Sequence, residues 1–386
     1  MSRNVLSSLL CVFAFTACGV DQEQSALTLS QPGAQEQEII NGEACDADTF
    51  PTTVAILVDA TIDLGGFGQQ QIKTVICTGT LIAPDVVLTA AHCVDASGLT
   101  FGFGEVQSEQ YYITFEPDLV SLAEQSTSDF PEDTIEATSW VAHPDFSDAS
   151  FGNGGLGIVP DVALIYLNEV AAVQPEIVIT LEEAEQIEEN SEVSIAGWGQ
   201  QVKTDSPFEE PPPNTVGRKV CATAYINELG THEFQVGDDE STSRKCHGDS
   251  GGPTFFEVDT PLSNTQRVIG ITSHAYDETD CNKGGVDVRV DAFLDWIDGH
   301  MVDACEDGTR IWCDVQGIIS PEYYEPEPEP EPEASSEPEP EAGEDDAIAD
   351  GLFGCRCFMA PSRLPLSELA LLAAFAIGLR RRRARE

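Results

Sequence analysis

The amino-acid sequence predicts an all-β domain closed by one terminal helix, and three observations lead there. Short apolar runs recur at Val54–Val58, Ile72–Cys77, Val86–Thr89, Val162–Leu167, Ser191–Ala196 and Val268–Thr272. Gly, Pro, Asn and Asp, the residues that make turns, punctuate them. Helical spacing of apolar residues emerges only in Asp291–Ile297, where Phe293, Trp296 and Ile297 share one face. Many short strands joined by turns build a barrel or a sandwich.

Composition narrows the partners. The 386 residues include 68 acidic and 18 basic side chains, 23 prolines and 12 cysteines, unevenly placed. Residues 39–320 hold 49 acids against 10 bases, a formal charge of −39. A body this acidic repels phosphate backbones, which excludes nucleic acid as a partner. With 41% hydrophobic residues in the whole chain, the body can still bury a sizeable core, which excludes general disorder.

In chain order, Met1–Ala17 carries one basic residue, Arg3, and an apolar run from Val5 to Ala17. That run is too short to span a bilayer and reads as a secretory signal over residues 1–18. Phe15, Thr16, Ala17, Cys18 and Gly19 resemble a bacterial lipoprotein cleavage box with Cys18 as the lipid acceptor. The small residues Ala17 and Gly19 fit ordinary cleavage after Gly19 equally well, and both readings stay open. Further along, Asn153–Gly157 has the wrong spacing for a phosphate-binding loop and reads as a turn.

Three segments carry chemistry together. Thr89, Ala90, Ala91, His92 and Cys93 follow a predicted strand, and Asp161 opens another; either alone is common in loops and turns. Gly248, Asp249, Ser250, Gly251, Gly252 and Pro253 form a far more specific pattern. Its glycines permit the close approach and unusual φ that aim two backbone N–H groups at a developing oxyanion.

With these segments in the order His, Asp, Ser, the chain from Ile39 to about His300 resembles the chymotrypsin and trypsin family of serine proteases. The resemblance implies two antiparallel six-stranded β-barrels with the active site in the cleft between them, and a C-terminal helix. It implies Ser250 as nucleophile, His92 as general base and then acid, and Asp161 as the group that orients the imidazole. The N–H groups of Gly248 and Ser250 would form the oxyanion hole. Ala196–Gly199 resembles the family's Gly-Trp-Gly turn, and Ile39–Gly42 resembles its mature N-terminus, whose freed amine would pair with Asp249. Residues 19–38 would then be a propeptide and 39–315 the protease domain. No cofactor or metal is implied, and the partners are protein or peptide substrates.

The resemblance also implies disulfides Cys77–Cys93, Cys246–Cys281 and Cys45–Cys221, with Cys305 and Cys313 left to pair locally. Metal binding is the competing reading of clustered cysteines, but the body has no Cys-x-x-Cys and no His pair at ligand spacing. In the substrate pocket, Ser273, Gly285 and Asp287 fall on segments that should wall it. Arg244 stands six residues before the nucleophile, where trypsins that cut after Lys or Arg carry Asp. A cation there favours an acidic residue before the scissile bond, unless Asp287 pairs with Arg244 or Arg244 points away from the pocket as a member of a structural ion pair. Residues 59–71 and 95–139 look longer than a compact family member needs, and long loops around a cleft narrow its range of substrates.

Residues 316–350 form an acidic, proline-rich spacer, alternating Glu and Pro from Glu325 to Pro332 and again from Glu337 to Glu341. Such a segment is extended and polyproline-like. Residues 351–386 hold Cys355, Cys357, an apolar stretch centred on Leu369–Leu379 and the cluster Arg380–Arg385. The stretch falls short of the roughly 20 residues of a comfortable span. The order Cys, short apolar helix, Arg cluster resembles the sorting tails of myxobacterial surface proteins, in which the Cys is where processing and anchoring occur. That implies cell-envelope sorting machinery as a partner and a membrane contact through the terminal anchor. Two rival classes remain: an inactive protease homologue used as a binding module, and an acidic adhesive protein for which the spacer and anchor are the point.

Overall fold

The computed structural model describes residues 39–95, 104–125, 129–147, 154–202, 212–277 and 280–324. After the short strand β1 (Glu43–Ala44), six strands close the first barrel: β2 (Thr53–Asp63), β3 (Gln69–Ala83), β4 (Val86–Thr89), β5 (Glu105–Thr114), β6 (Ile135–Ala142) and β7 (Ala163–Leu167). Around the barrel they run β2-β3-β4-β7-β6-β5, each pair antiparallel. The continuous apolar run on β2 has a simple cause. Val54, Ile56 and Val58 join the large core with Leu81, Val87 and Ile165, while Ala55 and Leu57 point the other way and pack with Leu119, Leu122 and Trp198. A strand buried on both faces needs apolar residues at every position.

The second barrel uses β8 (Glu192–Gly197), β9 (Val220–Leu229), β10 (Glu233–Val236), β11 (Pro253–Glu257), β12 (Gln266–Asp277) and β13 (Asp280–Arg289). They close as β8-β9-β10-β13-β12-β11, because β8 pairs with both β9 and β11. β1 adds to β9 with Glu43 opposite Cys221. The two barrels therefore appear as the resemblance implied.

Much of the two long segments is regular structure. Residues 59–71 are the tip of a long hairpin, with β2 paired to β3 out to Asp63 opposite Gln69. Residues 95–139 contain β5, the short helix α1 (Val120–Gln125) and the start of β6. Tyr111 and Ile113 of β5 are buried in the core, but its first half carries Glu105, Gln107, Ser108 and Glu109 and lacks a strand's apolar signal. Backbone pairing to β2 holds it, from Ala55 opposite Thr114 to Asp63 opposite Glu105.

The terminal helix also shifts. Val290–Phe293 is a 3₁₀ turn, and the α-helix α2 runs Leu294–Glu306, burying Ile297, Met301 and Ala304 along one stripe. Beyond it the chain turns back and buries Arg310 against Asp85 in the β3–β4 turn, at 2.9 Å. Both oxygens of Asp85 are used, the second accepting the N–H groups of Ile311 and Trp312 at 2.9 Å each.

Candidate active site

β4 ends at Thr89, and a 3₁₀ turn over Ala91–Cys93 projects the His92 side chain, while the Cys77–Cys93 disulfide ties that turn to β3. Asp161 lies fully buried just before β7. Its Oδ1 accepts the backbone N–H of His92 at 2.9 Å, and its Oδ2 contacts His92 Nδ1 at 2.7 Å and accepts the Ser273 hydroxyl at 2.6 Å. Burial alone would push the Asp161 carboxyl up, but His92 and these hydrogen bonds hold it below the usual carboxylate range. An ionised Asp161 keeps the Nδ1 proton on the imidazole, which leaves Nε2 as a proton acceptor.

The Gly248–Pro253 loop is built on backbone contacts that only glycine allows. Gly251 has φ 76°, and a Cβ there would lie 2.0 Å from Thr89 Oγ1 and 2.4 Å from the Thr78 carbonyl. Its N–H donates to the Thr272 carbonyl at 2.7 Å, and the Ser250 carbonyl accepts the Thr78 N–H at 2.8 Å. Gly248 has φ 94°. Asp249 is buried beneath the loop and accepts the N–H groups of Cys246 and Gly199, each at 3.0 Å. A Cβ on Gly199 would fall 2.6 Å from this carboxylate, which accounts for the second glycine of the Gly-Trp-Gly turn. Burial raises the Asp249 carboxyl to about 6 despite those two hydrogen bonds. Ile39 is buried as well, and Ile40 forms a bridge to Arg244, accepting its N–H at 3.1 Å.

Ser250 lines a pocket of about 200 Å³ together with Lys245, His247, Ser273, Ala275 and Gly285. Ser273 thus belongs to this lining and also bonds Asp161. Arg244 is buried but is not part of the lining. Its Nε donates to the Cys281 carbonyl at 2.7 Å and its Nη1 to the Thr242 carbonyl at 3.1 Å. Asp287 also lies outside the lining, and the alternative of a pairing with Arg244 is corrected: its partner is Lys245, whose Nζ is 2.7 Å from Asp287 Oδ2 and 2.7 Å from Thr254 Oγ1. Neighbours in extended chain point to opposite sides, so only one of Arg244 and Lys245 reaches into the barrel behind the pocket. The sequence offered adjacent cations and no sign of which one turned inward.

Among the described residues four disulfides stand: Cys45–Cys221, Cys77–Cys93, Cys246–Cys281 and Cys305–Cys313. They fit an oxidising, extracellular setting. Two sets of metal-capable groups, Cys77 with His92 and Cys93, and Cys246 with His247 and Cys281, have their cysteines in these disulfides. Cys18, Cys355, Cys357, the spacer beyond Tyr324 and the terminal stretch lie outside the described residues.

A protein-family model described as Trypsin matches residues 39–297. The chain belongs to the trypsin family. This is a family of serine endopeptidases, and the chain's relatives include such enzymes. Chicken (Gallus gallus) urokinase-type plasminogen activator is 27% identical over 276 residues, covering 68% of this chain and 57% of the relative. The chain thus spans little more than half of that relative's length. The CLIP domain-containing serine protease HP8 of Bombyx mori is 27% identical over 304 residues, covering 74% and 76% of the two chains. Phenoloxidase-activating factor 3 of Holotrichia diomphalia is 28% identical, covering 67% and 71%. Among solved structures, neuropsin, a serine protease expressed in the limbic system of mouse brain, shares 22% identity with a TM-score of 0.45, covering 67% of this chain and 97% of the other.

Proposed function

We propose that this trypsin-family member is an exported endopeptidase that cuts peptide bonds through an acyl-enzyme on Ser250. The supporting observation is the chain of contacts from His92 through Asp161 to Ser273, and from Ser273 to the pocket that Ser250 lines. In this reading His92 Nε2 takes the Ser250 proton as Oγ attacks the scissile carbonyl, then returns it to the leaving amine. Asp161 holds the imidazole in the tautomer that leaves Nε2 free to accept, and stabilises the imidazolium. The N–H groups of Gly248 and Ser250 receive the oxyanion. Water then enters, loses its proton to His92 and releases the acyl group.

Activation follows cleavage between Glu38 and Ile39, because a freed Ile39 amine supplies the opposite charge that buried Asp249 needs. The surroundings of the pocket favour an acidic residue before the scissile bond. Among the described residues its lining holds Lys245 and no carboxylate, which disfavours Lys and Arg side chains there. Residues 351–386 deliver the enzyme to the cell envelope, and residues 1–18 export it.

The test is labelling of the processed protein with a fluorophosphonate probe, with Ser250→Ala as control. Label on the wild type alone is expected, together with cleavage of a peptide library after Glu or Asp. Absence of label from correctly processed protein would overturn the protease reading, and strong cleavage after Lys or Arg would overturn the specificity.

A further inference from the structure

We propose that Glu233 is a positioning residue for Asp161, acting across the two barrels through the chain segment that precedes Asp161. The inference rests on the protease reading above. Glu233 opens β10 in the second barrel and is fully buried. Its Oε1 accepts the N–H of Val159 at 3.2 Å and its Oε2 accepts the N–H of Gly157. One carboxylate of the second barrel therefore grips the first-barrel chain two and four residues before Asp161.

The grip is fixed at its own end. Glu233 lies opposite Val288 in the β10–β13 pairing, and its carbonyl closes the β9–β10 turn by accepting the Gly230 N–H at 2.8 Å. The gripped segment is tied a second time, where the Gly155 N–H donates to the Tyr276 carbonyl at 2.8 Å on β12, the strand that carries Ser273. Between the two gripped amides Ile158 is 71% exposed while Val159 is buried, so this stretch is held by its backbone bonds together with the Val159 side chain.

Burying a carboxylate is costly unless its oxygens are hydrogen-bonded. An apolar residue at position 233 would fill β10 beside Phe234 at lower cost. What the carboxylate adds is two charge-assisted bonds to the loop. Asp161 must serve His92 N–H, His92 Nδ1 and Ser273 Oγ at once, all within 2.9 Å. Such a constellation tolerates displacements of only about 0.5 Å.

The experiment uses processed full-length enzyme carrying Glu233→Gln or Glu233→Met. Glu233→Gln keeps the shape but turns one acceptor into a donor, and kcat should fall about 3- to 10-fold with KM nearly unchanged. Glu233→Met removes both acceptors, and kcat should fall about 30-fold or more. The acid limb of the kcat/KM profile should move to lower pH, because the imidazolium loses support from Asp161. The same movement should broaden or shift the downfield proton NMR signal of the His92 Nδ1–H bonded to Asp161, a readout that needs no turnover. Wild-type kcat, acid limb and NMR signal in both variants would overturn the inference. So would an activity loss matched by the loss of probe-reactive sites, with the survivors at wild-type kcat. If wild-type Ser250 fails to label while the Nδ1–H signal responds to Glu233→Met, the protease reading falls and the positioning role stands.

Discussion

Lys245 Nζ lies 2.7 Å from Asp287 Oδ2, in an ion pair almost wholly withdrawn from water. Burial depresses the Lys245 ammonium, and Asp287 opposes that effect. The other oxygen of the pair, Asp287 Oδ1, is buried with no hydrogen-bond partner among the described residues. Lys245→Met would leave a buried carboxylate with only Thr254 to support it. We expect a loss of about 3–5 kcal/mol in denaturant unfolding, with most of it recovered in the double variant Lys245→Met/Asp287→Leu. A double variant as unstable as the single one would show that packing around the Lys245 stem, not the charge, is the cause.

Asp85 and Arg310 predict a different kind of loss. They join the first barrel to the segment after α2, and Arg310 also donates to the carbonyls of Met301 and Gln316. Asp85→Ala would strand the guanidinium and the N–H groups of Ile311 and Trp312. Unfolding should cost about 3–5 kcal/mol less, and hydrogen exchange should accelerate first in residues 310–316. Unchanged exchange there would mean that the Cys305–Cys313 disulfide alone holds the segment.

The barrels and the reactive groups were legible in the sequence where the signal was local. The β2 run is apolar at every position because both of its faces are covered, and the Gly248–Pro253 loop requires glycines at positions that can be read directly. The first half of β5 was hidden because its side chains are polar and backbone pairing to a distant strand holds it, while Tyr111 and Ile113 anchor the second half in the core. Lys245 and Glu233 were hidden for a related reason. Their partners, Asp287 and the amides of Gly157 and Val159, lie 42, 76 and 74 positions away, and nothing in the adjacent residues marks them.

Lys219 gives a prediction with a sign in pH. Its Nζ donates to the Phe50 carbonyl at 2.9 Å and sits 5.5 Å from the Trp198 ring, and burial lowers the ammonium to about 8. A lysine depressed from 10.5 binds fewer protons folded than unfolded between pH 8 and 10.5. The penalty, roughly 3 kcal/mol, is complete below pH 8 and disappears as pH rises to 10.5. Relative to Lys219→Met, the wild type should therefore gain stability across that window. Parallel stability curves for the two proteins would show that Phe50 and Trp198 fully compensate the buried charge.

Asp249 carries the opposite sign and tests activation directly. With its carboxyl raised from 3.8 to about 6, the folded chain binds more protons than the unfolded one between those values. Its contribution is most favourable below pH 3.8 and falls by roughly 3 kcal/mol as pH rises through 6. Cleavage before Ile39 would place an ammonium against this carboxylate, lowering it and removing the loss. We therefore expect unprocessed and processed forms, both carrying Ser250→Ala to prevent self-cleavage, to have similar melting temperatures near pH 4. The processed form should become progressively more stable than the precursor up to about pH 6.5. Asp249→Asn should abolish that divergence while leaving the precursor close to its stability at low pH. A constant gap between the two forms from pH 4 to 6.5 would mean that the freed amine does not reach Asp249, and that the loop around Ser250 is ordered by other contacts.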